Sequence, residues 1–313
     1  MREEIKRQLT WLLDGEDPAL RYQIERDLLG TSEDKLVMLQ RSIPFGGWAK
    51  VLLGQQKADG SWGRDAYGPK WTCTHYVAYE LLQLGFPSDH PDLHRAVSTL
   101  LQYPDGSDGG VNYAKTVPCS DVAINGTLLA ITSCTNRDSV RSSMMCDFLL
   151  KTQLSDGGWN SAFREDESCS SLHTTIAVLE GLLRYRHAFS DEENHGTCEQ
   201  AIERGITFLL DHRMLESHPT KERIKDDFAQ FCFPVRYKYD VMRALDLFRE
   251  FSIPYDARMD DALVLLESKA RRNGRWALKS QVGATYGKIE ENPSESRWNT
   301  LRALRILDRY RAS

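Results

Sequence analysis

Five short strings in the chain gather the side chains that can move protons or hold a metal: "KWTCTHY", "VPCSDVA", "ESCSSLHTT", "FCFPVRYKYD" and "ESRWNT". Of the seven cysteines, Cys73, Cys119, Cys169 and Cys232 fall in these strings, beside His75, His173, Asp121 and Asp240. Thiolate, imidazole and carboxylate are the ligands zinc prefers, and an open catalytic zinc needs three of them around one exchangeable position. Cys119, Cys169 and His173 are the nearest such set, and zinc is the one cofactor these residue types suggest. Without a metal, His75 and His173 are the candidates for proton transfer, because an imidazole near a helix N-terminus is held neutral and stays available as a base. Asp121 and Asp240 add carboxyl groups able to act as acid or base. A plainer role competes with each: cysteine fills space as a small hydrophobe, and an aspartate at a helix start caps the helix.

The same strings supply recognition groups. Trp71, Tyr76, Tyr237, Tyr239 and Trp298 offer aromatic faces that can wall an apolar pocket or steady a developing cation. Arg236 and Arg297, with Arg21 from the N-terminal stretch, can bind a carboxylate or diphosphate through paired N–H donors. Together they suit an amphipathic ligand with an anionic head.

What positions these groups is a repeat. "VLLGQQKADGSWG", "TLLQYPDGSDGGV", "FLLKTQLSDGGWN" and "LLESKARRNGRWA" share one grammar: an apolar helix ending in Leu-Leu, a polar spacer, an Asp-Gly or Asn-Gly turn and a plug. Trp62, Val111 and Trp159 stand 49 and 48 residues apart, and Trp276 fills the place in the last copy. After each turn comes a second helix, "THYVAYELLQLG", "DVAINGTLLAI", "TTIAVLEGLLRY", "YDVMRALDLFREF" or "WNTLRALRILDRY", with apolar residues at helical spacing. Residues 1–32 read as one further hairpin, which makes six within a single domain spanning 1–313. Setting the second helices in register by their distal leucines places Arg21, Thr74, Thr174, Asp240 and Asn299 at equivalent first-turn positions, with Ser120 or Asp121 in the third unit.

Over 33–313 the turn, aromatic and following helix resemble the glutamine-tryptophan repeats of squalene and hopene cyclases, and more loosely those of protein prenyltransferase beta subunits. The resemblance implies an all-α fold, an (α/α)6 toroid with six inner helices inside six outer ones. It implies a central cavity whose mouth is lined by inner-helix N-termini and the loops before them. It also implies an isoprenoid or similar apolar small-molecule ligand and a cyclase or transferase activity. The prenyltransferases hold zinc with Asp, Cys and His near that mouth; Cys169 and His173 match part of the pattern, with Glu167 where Asp is expected. The Asp-x-Asp-Asp acid of protonating cyclases has no counterpart, since "YDARMDDA" and "IKDDFA" have other spacings. A metal-dependent transferase or peptide-modifying enzyme, and a non-catalytic binding toroid, stand as the alternatives.

Bulk properties fit a folded chain of 313 residues, 41% hydrophobic and 27% charged. A formal net charge of -5 gives no general basic field, so nucleic acid is not the expected partner. The opening "MREEIKRQLTWLLDGEDPALRYQ" has no apolar secretory core, and no run reaches about eighteen apolar residues. A cytoplasmic protein without a transmembrane segment is expected, with peripheral contact at a membrane surface the remaining lipid-facing role. The sequence carries no sign of oligomeric state.

Overall fold

The computed structural model describes residues 2–114, 116–136, 138–161, 169–189, 195–216, 226–279 and 283–311. These residues form thirteen α-helices and no β-strand. In chain order they are α1 (Arg2–Leu13), α2 (Pro18–Asp27), α3 (Glu33–Ser42), α4 (Gly47–Leu53), α5 (Thr74–Gln83), α6 (Pro91–Leu100) and α7 (Val122–Thr135). The remainder are α8 (Ser139–Lys151), α9 (Leu172–Ala188), α10 (His195–Asp211), α11 (Val241–Glu250), α12 (Asp260–Ser268) and α13 (Arg297–Arg311). The inner helices α2, α5, α7, α9, α11 and α13 are buried along most of their length, whereas the outer ones bury one face only. α3 and α4 together make one broken outer helix, so the chain is six outer-inner hairpins, the expected toroid. No helix among the described residues is long and apolar enough to cross a membrane.

Two orphan sets drive the hairpin geometry: the last carbonyls of each outer helix and the first N–H groups of each inner one. The turn tryptophan serves both. Trp62, Trp159 and Trp276 are buried, and their indole N–H groups donate to the carbonyls of Leu52, Leu149 and Leu266 at 2.7, 2.7 and 2.8 Å. Their backbone N–H groups donate to Thr74, Thr175 and Thr300 Oγ1 at 3.0, 2.9 and 3.1 Å. In the copy without tryptophan, Val111 N donates to Asn125 Oδ1 at 2.8 Å and Asn125 Nδ2 donates back to Val111 O at 3.0 Å. The equivalent inner-helix positions are therefore Thr74, Asn125, Thr175 and Thr300, one residue beyond the expected Thr174 and Asn299 and four or five beyond the expected Asp121 or Ser120.

The glutamine of each turn reaches across to the next hairpin. Gln56 Nε2 donates to Gly60 O and to Asp92 O in α6; Gln153 Nε2 donates to Gly157 O and to Ala201 O in α10. Gly157 has φ +92, and a Cβ on it would meet the Arg204 backbone oxygen at 2.8 Å. Glycine is therefore required twice over, for the left-handed backbone and for the fit against α10. Gln8 Nε2 donates to Asn273 O at 2.7 Å, so the last turn docks on α1 and closes the ring.

Inner helices meet most closely where α7 crosses α9. A Cβ on Gly126 would lie 2.7 Å from Ala177 O, so the two backbones touch. α5 joins α7 through His75, whose Nε2 lies 2.8 Å from Thr127 Oγ1 and whose Nδ1 lies 3.4 Å from Tyr113 OH. The ring is 1% exposed, and burial pushes its pKa down to about 3.

Replacing Trp159 with Phe keeps the ring but strands the Leu149 carbonyl; urea unfolding should register a loss of about 1–3 kcal/mol, and Trp159→Ala about 3–5 kcal/mol. A second expectation concerns acid. Because His75 is held neutral when folded but has an ordinary pKa when unfolded, its contribution is intact above pH 6.5 and declines below it. The slope is roughly 1.4 kcal/mol per pH unit down to about pH 3. Between pH 6.5 and 5, above the ordinary carboxylate range, His75→Gln should flatten the wild-type decline in urea-measured stability; an unchanged slope would contradict this.

Candidate functional site

At the end of the ring where the inner helices begin, two cavities of about 260 and 130 Å³ share Lys70, Arg236 and Tyr237 as walls. The larger is completed by Tyr67, Tyr76, Asp121, Ile124 and Thr127, the smaller by Trp71, Val235, Tyr239 and Asp240 among others. Two loops build this mouth. The loop before α5 carries Tyr67, Lys70 and Trp71, and Trp71 holds φ +82, a strained backbone for a bulky residue. Its indole packs on Tyr76 with ring centres 4.7 Å apart, under the Lys70 ammonium at 4.6 Å and the Arg236 guanidinium at 5.4 Å. The loop before α11 is clamped by Gln83, which accepts from Val235 N at 2.6 Å and donates to Val235 O at 2.9 Å. His173 fixes the same loop, its Nδ1 accepting from Tyr239 N at 2.8 Å while its ring stacks on Tyr237.

The carboxyl groups differ in their commitments. Asp121 caps α7 through one oxygen, which accepts from Ile124 N at 2.9 Å; Ser161 Oγ approaches the other at 3.4 Å. Desolvation raises the Asp121 pKa, against the pull of the Ile124 and Ala123 N–H donors, Ser161 and the Lys70 charge. Asp240 caps α11, accepting from Arg243 N at 2.8 Å and Cys232 N at 3.5 Å, one on each oxygen, and burial raises its pKa too. Glu80 stands below the mouth, 3.2 Å from both Arg236 Nε and Trp48 Nε1, its pKa raised by burial against the opposing charge of Arg236.

The mouth thus unites Asp121, Asp240, Trp71, Arg236, Tyr237 and Tyr239 among the expected residues. His75 and His173 stand one layer behind: His75 supports Thr127 and the tyrosines, and His173 supports the Tyr237 loop. The structure places the others elsewhere. Thr74 and Thr174 are fully buried, the former spent on Trp62. Asn299 is buried and donates to Phe231 and Ala277 carbonyls, and Trp298 stacks on Phe233 in the core. Arg21 pairs with Glu25 at 2.8 Å on α2, and Arg297 donates to Trp11 O at 3.1 Å on the first hairpin. Lys70, Tyr67, Thr127 and Glu80 escaped the sequence reading. Lys70 and Glu80 carried a signal in retrospect, a lysine beside Trp71 and an acid on an otherwise apolar inner helix.

The cysteines do not converge. Cys73 is buried, Cys119 and Cys232 half-buried and Cys169 exposed. Among the described residues no three of His, Cys, Asp and Glu come together to hold a metal, and Nδ1 of His173 is already taken. Cys119, Cys169 and His173 therefore do not fit the zinc set that the prenyltransferase resemblance implies; Glu167 lies outside the described residues.

Beneath the mouth the ring centre is polar. Tyr79 OH donates to Glu180, Arg243 Nη2 donates to Tyr79 OH at 2.9 Å, and Arg302 and Arg305 converge on Asp246. Of the central cavity that the resemblance implies, the mouth is open, and the ring centre beneath it is occupied by ion pairs.

No protein-family model matches the chain. Human lanosterol synthase is 34% identical over 100 residues, a stretch covering 29% of this chain and 12% of that much longer protein. A glycosyl hydrolase family 88 protein from Bacteroides vulgatus superposes with a TM-score of 0.54 at 10% identity, over 98% of this chain and 97% of its own. The type II terpene cyclase MstE from Scytonema, solved with geranylgeranyl dihydroxybenzoate, aligns over 72% of this chain and 78% of its own, at 16% identity and a TM-score of 0.36. By its repeats, its ring of hairpins and its likeness to the glycosyl hydrolase structure, the chain has an α/α toroid fold.

Proposed function

We propose that the chain is an acid–base enzyme acting on a small unsaturated, largely apolar molecule of isoprenoid type that carries an anionic head. The observation that carries this reading is Asp121: a half-buried carboxyl whose pKa is raised by desolvation, capping a helix through one oxygen and standing in the wall of a cavity shared with Tyr67, Tyr76 and Tyr237. Lys70 and Arg236 at the rim suit the anionic head. In the reaction the Asp121 proton adds to one alkene carbon, the π pair forming the new C–H bond. The cation left on the other carbon faces tyrosine rings, a second double bond closes on it, and loss of a proton to the Asp121 carboxylate restores the acid. Atoms balance as an isomerisation. The cavity, near the small end of ligand sites at about 300 Å³, favours a short substrate.

The test is incubation in deuterated water with short-chain prenyl alcohols, carboxylates and diphosphates. A cyclised product carrying one deuterium is expected, and Asp121→Asn should lower turnover about 10²–10⁴-fold while leaving ligand quenching of tryptophan fluorescence intact. Diphosphate release without deuterium uptake would point instead to a transferase. Undiminished turnover by Asp121→Asn would sink the acid assignment.

A further inference from the structure

Six arginines, Arg26, Arg184, Arg243, Arg249, Arg302 and Arg305, line an 80 Å³ chamber inside the ring, below the mouth. Facing them in its wall are Glu180, Asp246 and Glu250. Adding Asp27, which pairs with Arg305 at 2.6 Å, still leaves four carboxylates against six guanidiniums. Buried charges are normally paired, because an unmatched one forfeits its hydration. Here two positive charges remain over.

The surplus has a second mark. Arg243 is 4% exposed, and its Nε has no hydrogen-bond partner among the described residues; Arg184 Nε has none either. The other nitrogens of Arg243 are committed to Tyr79 OH and to the Tyr237 and Lys238 carbonyls, so the side chain is fixed with one donor unspent. Burial and the neighbouring Arg305 hold Arg249 below the usual arginine range, whereas acidic partners hold Arg26, Arg184, Arg243 and Arg305 above it, which makes Arg249 the least well matched cation of the five. Arg26, Arg184 and Glu250 belong as well to a wide cleft of about 970 Å³ at the opposite end of the ring, which gives the chamber an entrance away from the mouth. A water-sized occupant needs about 10–15 Å³ of such space, so 80 Å³ accommodates the five heavy atoms of a tetrahedral oxyanion.

We propose that this chamber binds a small multivalent oxyanion of the size and charge of inorganic phosphate, entering from the far-end cleft. It would supply the two missing negative charges among the six guanidiniums. The site is separate from Asp121 and does not rest on the function proposed above.

The test titrates inorganic phosphate into the full chain by calorimetry and follows Tm against sodium chloride at matched ionic strength. One phosphate per chain is expected, with Tm rising by about 4 °C at a hundredfold excess over Kd. Arg249→Gln, which removes a cation already poorly matched, should keep the helical circular dichroism and weaken phosphate at least about tenfold; Asp121→Asn should bind as wild type. If Arg249→Gln does not fold, Arg26→Gln at the rim takes its place. A Tm that follows ionic strength alone, with no binding heat, would mean that the helix C-termini absorb the surplus charge, and would overturn the proposal. So would a folded arginine variant with undiminished affinity.

Discussion

Three hairpins in the ring depend on a single joint that satisfies a helix end and a helix start together, at Trp62, Trp159 and Trp276. An outer helix finishes with unpaired carbonyls, an inner helix starts with side chains free to accept, and the turn between them must serve both while excluding water. An indole does this because it is flat, large and carries one donor at its edge. The requirement is physical rather than a demand for tryptophan. Where Val111 takes the place, Asn125 exchanges two hydrogen bonds with its backbone. After α10, where no turn tryptophan exists, Tyr239 comes from the following inner-helix start, and its hydroxyl donates to Met214 O at 2.6 Å. Tryptophan serves both ends of the turn, Asn125 the inner-helix side and Tyr239 the end of the outer one, so the repeat fades in sequence while the hairpins persist in structure.

Six inner helices held this way point their N-termini to one end and leave a narrow centre. That centre is closed by ion pairs. Buried pairs add little net stability, since desolvation consumes most of the attraction, but removing one partner is costly. Their effect is to fix geometry: Gln23 donates to Gln83 O at 2.9 Å and accepts from Arg305, and Gln83 in turn clamps Val235 in the mouth loop. Arg243 reaches from Glu180 to the carbonyls of Tyr237 and Lys238. The mouth is therefore shallow, rigidly floored and wired to the charges below it.

The helices and their order were legible because the turn repeats and the apolar spacing is helical. Register was not, for a stated reason. The inner helices were aligned by their distal leucines, but α5, α7, α9 and α13 have 10, 14, 17 and 15 residues, so alignment at one end slips at the other. A slip of one residue turns a side chain by about 100°, enough to exchange Thr175 for Thr174 and Thr300 for Asn299. The cysteines illustrate the same limit. They cluster in sequence near helix starts, yet Cys73 is buried and Cys169 exposed, because proximity to a helix start says nothing about phase. Trp71, Asp121, Arg236 and Tyr237 survived because loop and cap positions depend less on helical phase. Thr127 and Glu80, two turns along their helices, could be found only once the packing was known.

Asp121 and Asp240 look alike in sequence, each capping an inner helix and each with its acid form favoured by burial. What separates them is exposure and the charge around them. Asp240 is 3% exposed, and the Arg302 and Arg243 guanidiniums tie its carboxylate to the protein. Asp121 is half-buried in the wall of the larger cavity, with Lys70 of the same wall as its neighbouring cation. A carboxyl can hand a proton to a ligand only where the ligand can reach it, so the cap that stands at the cavity wall is the one placed for chemistry. The helix start gives Asp121 its position, and its partial exposure leaves it something to do.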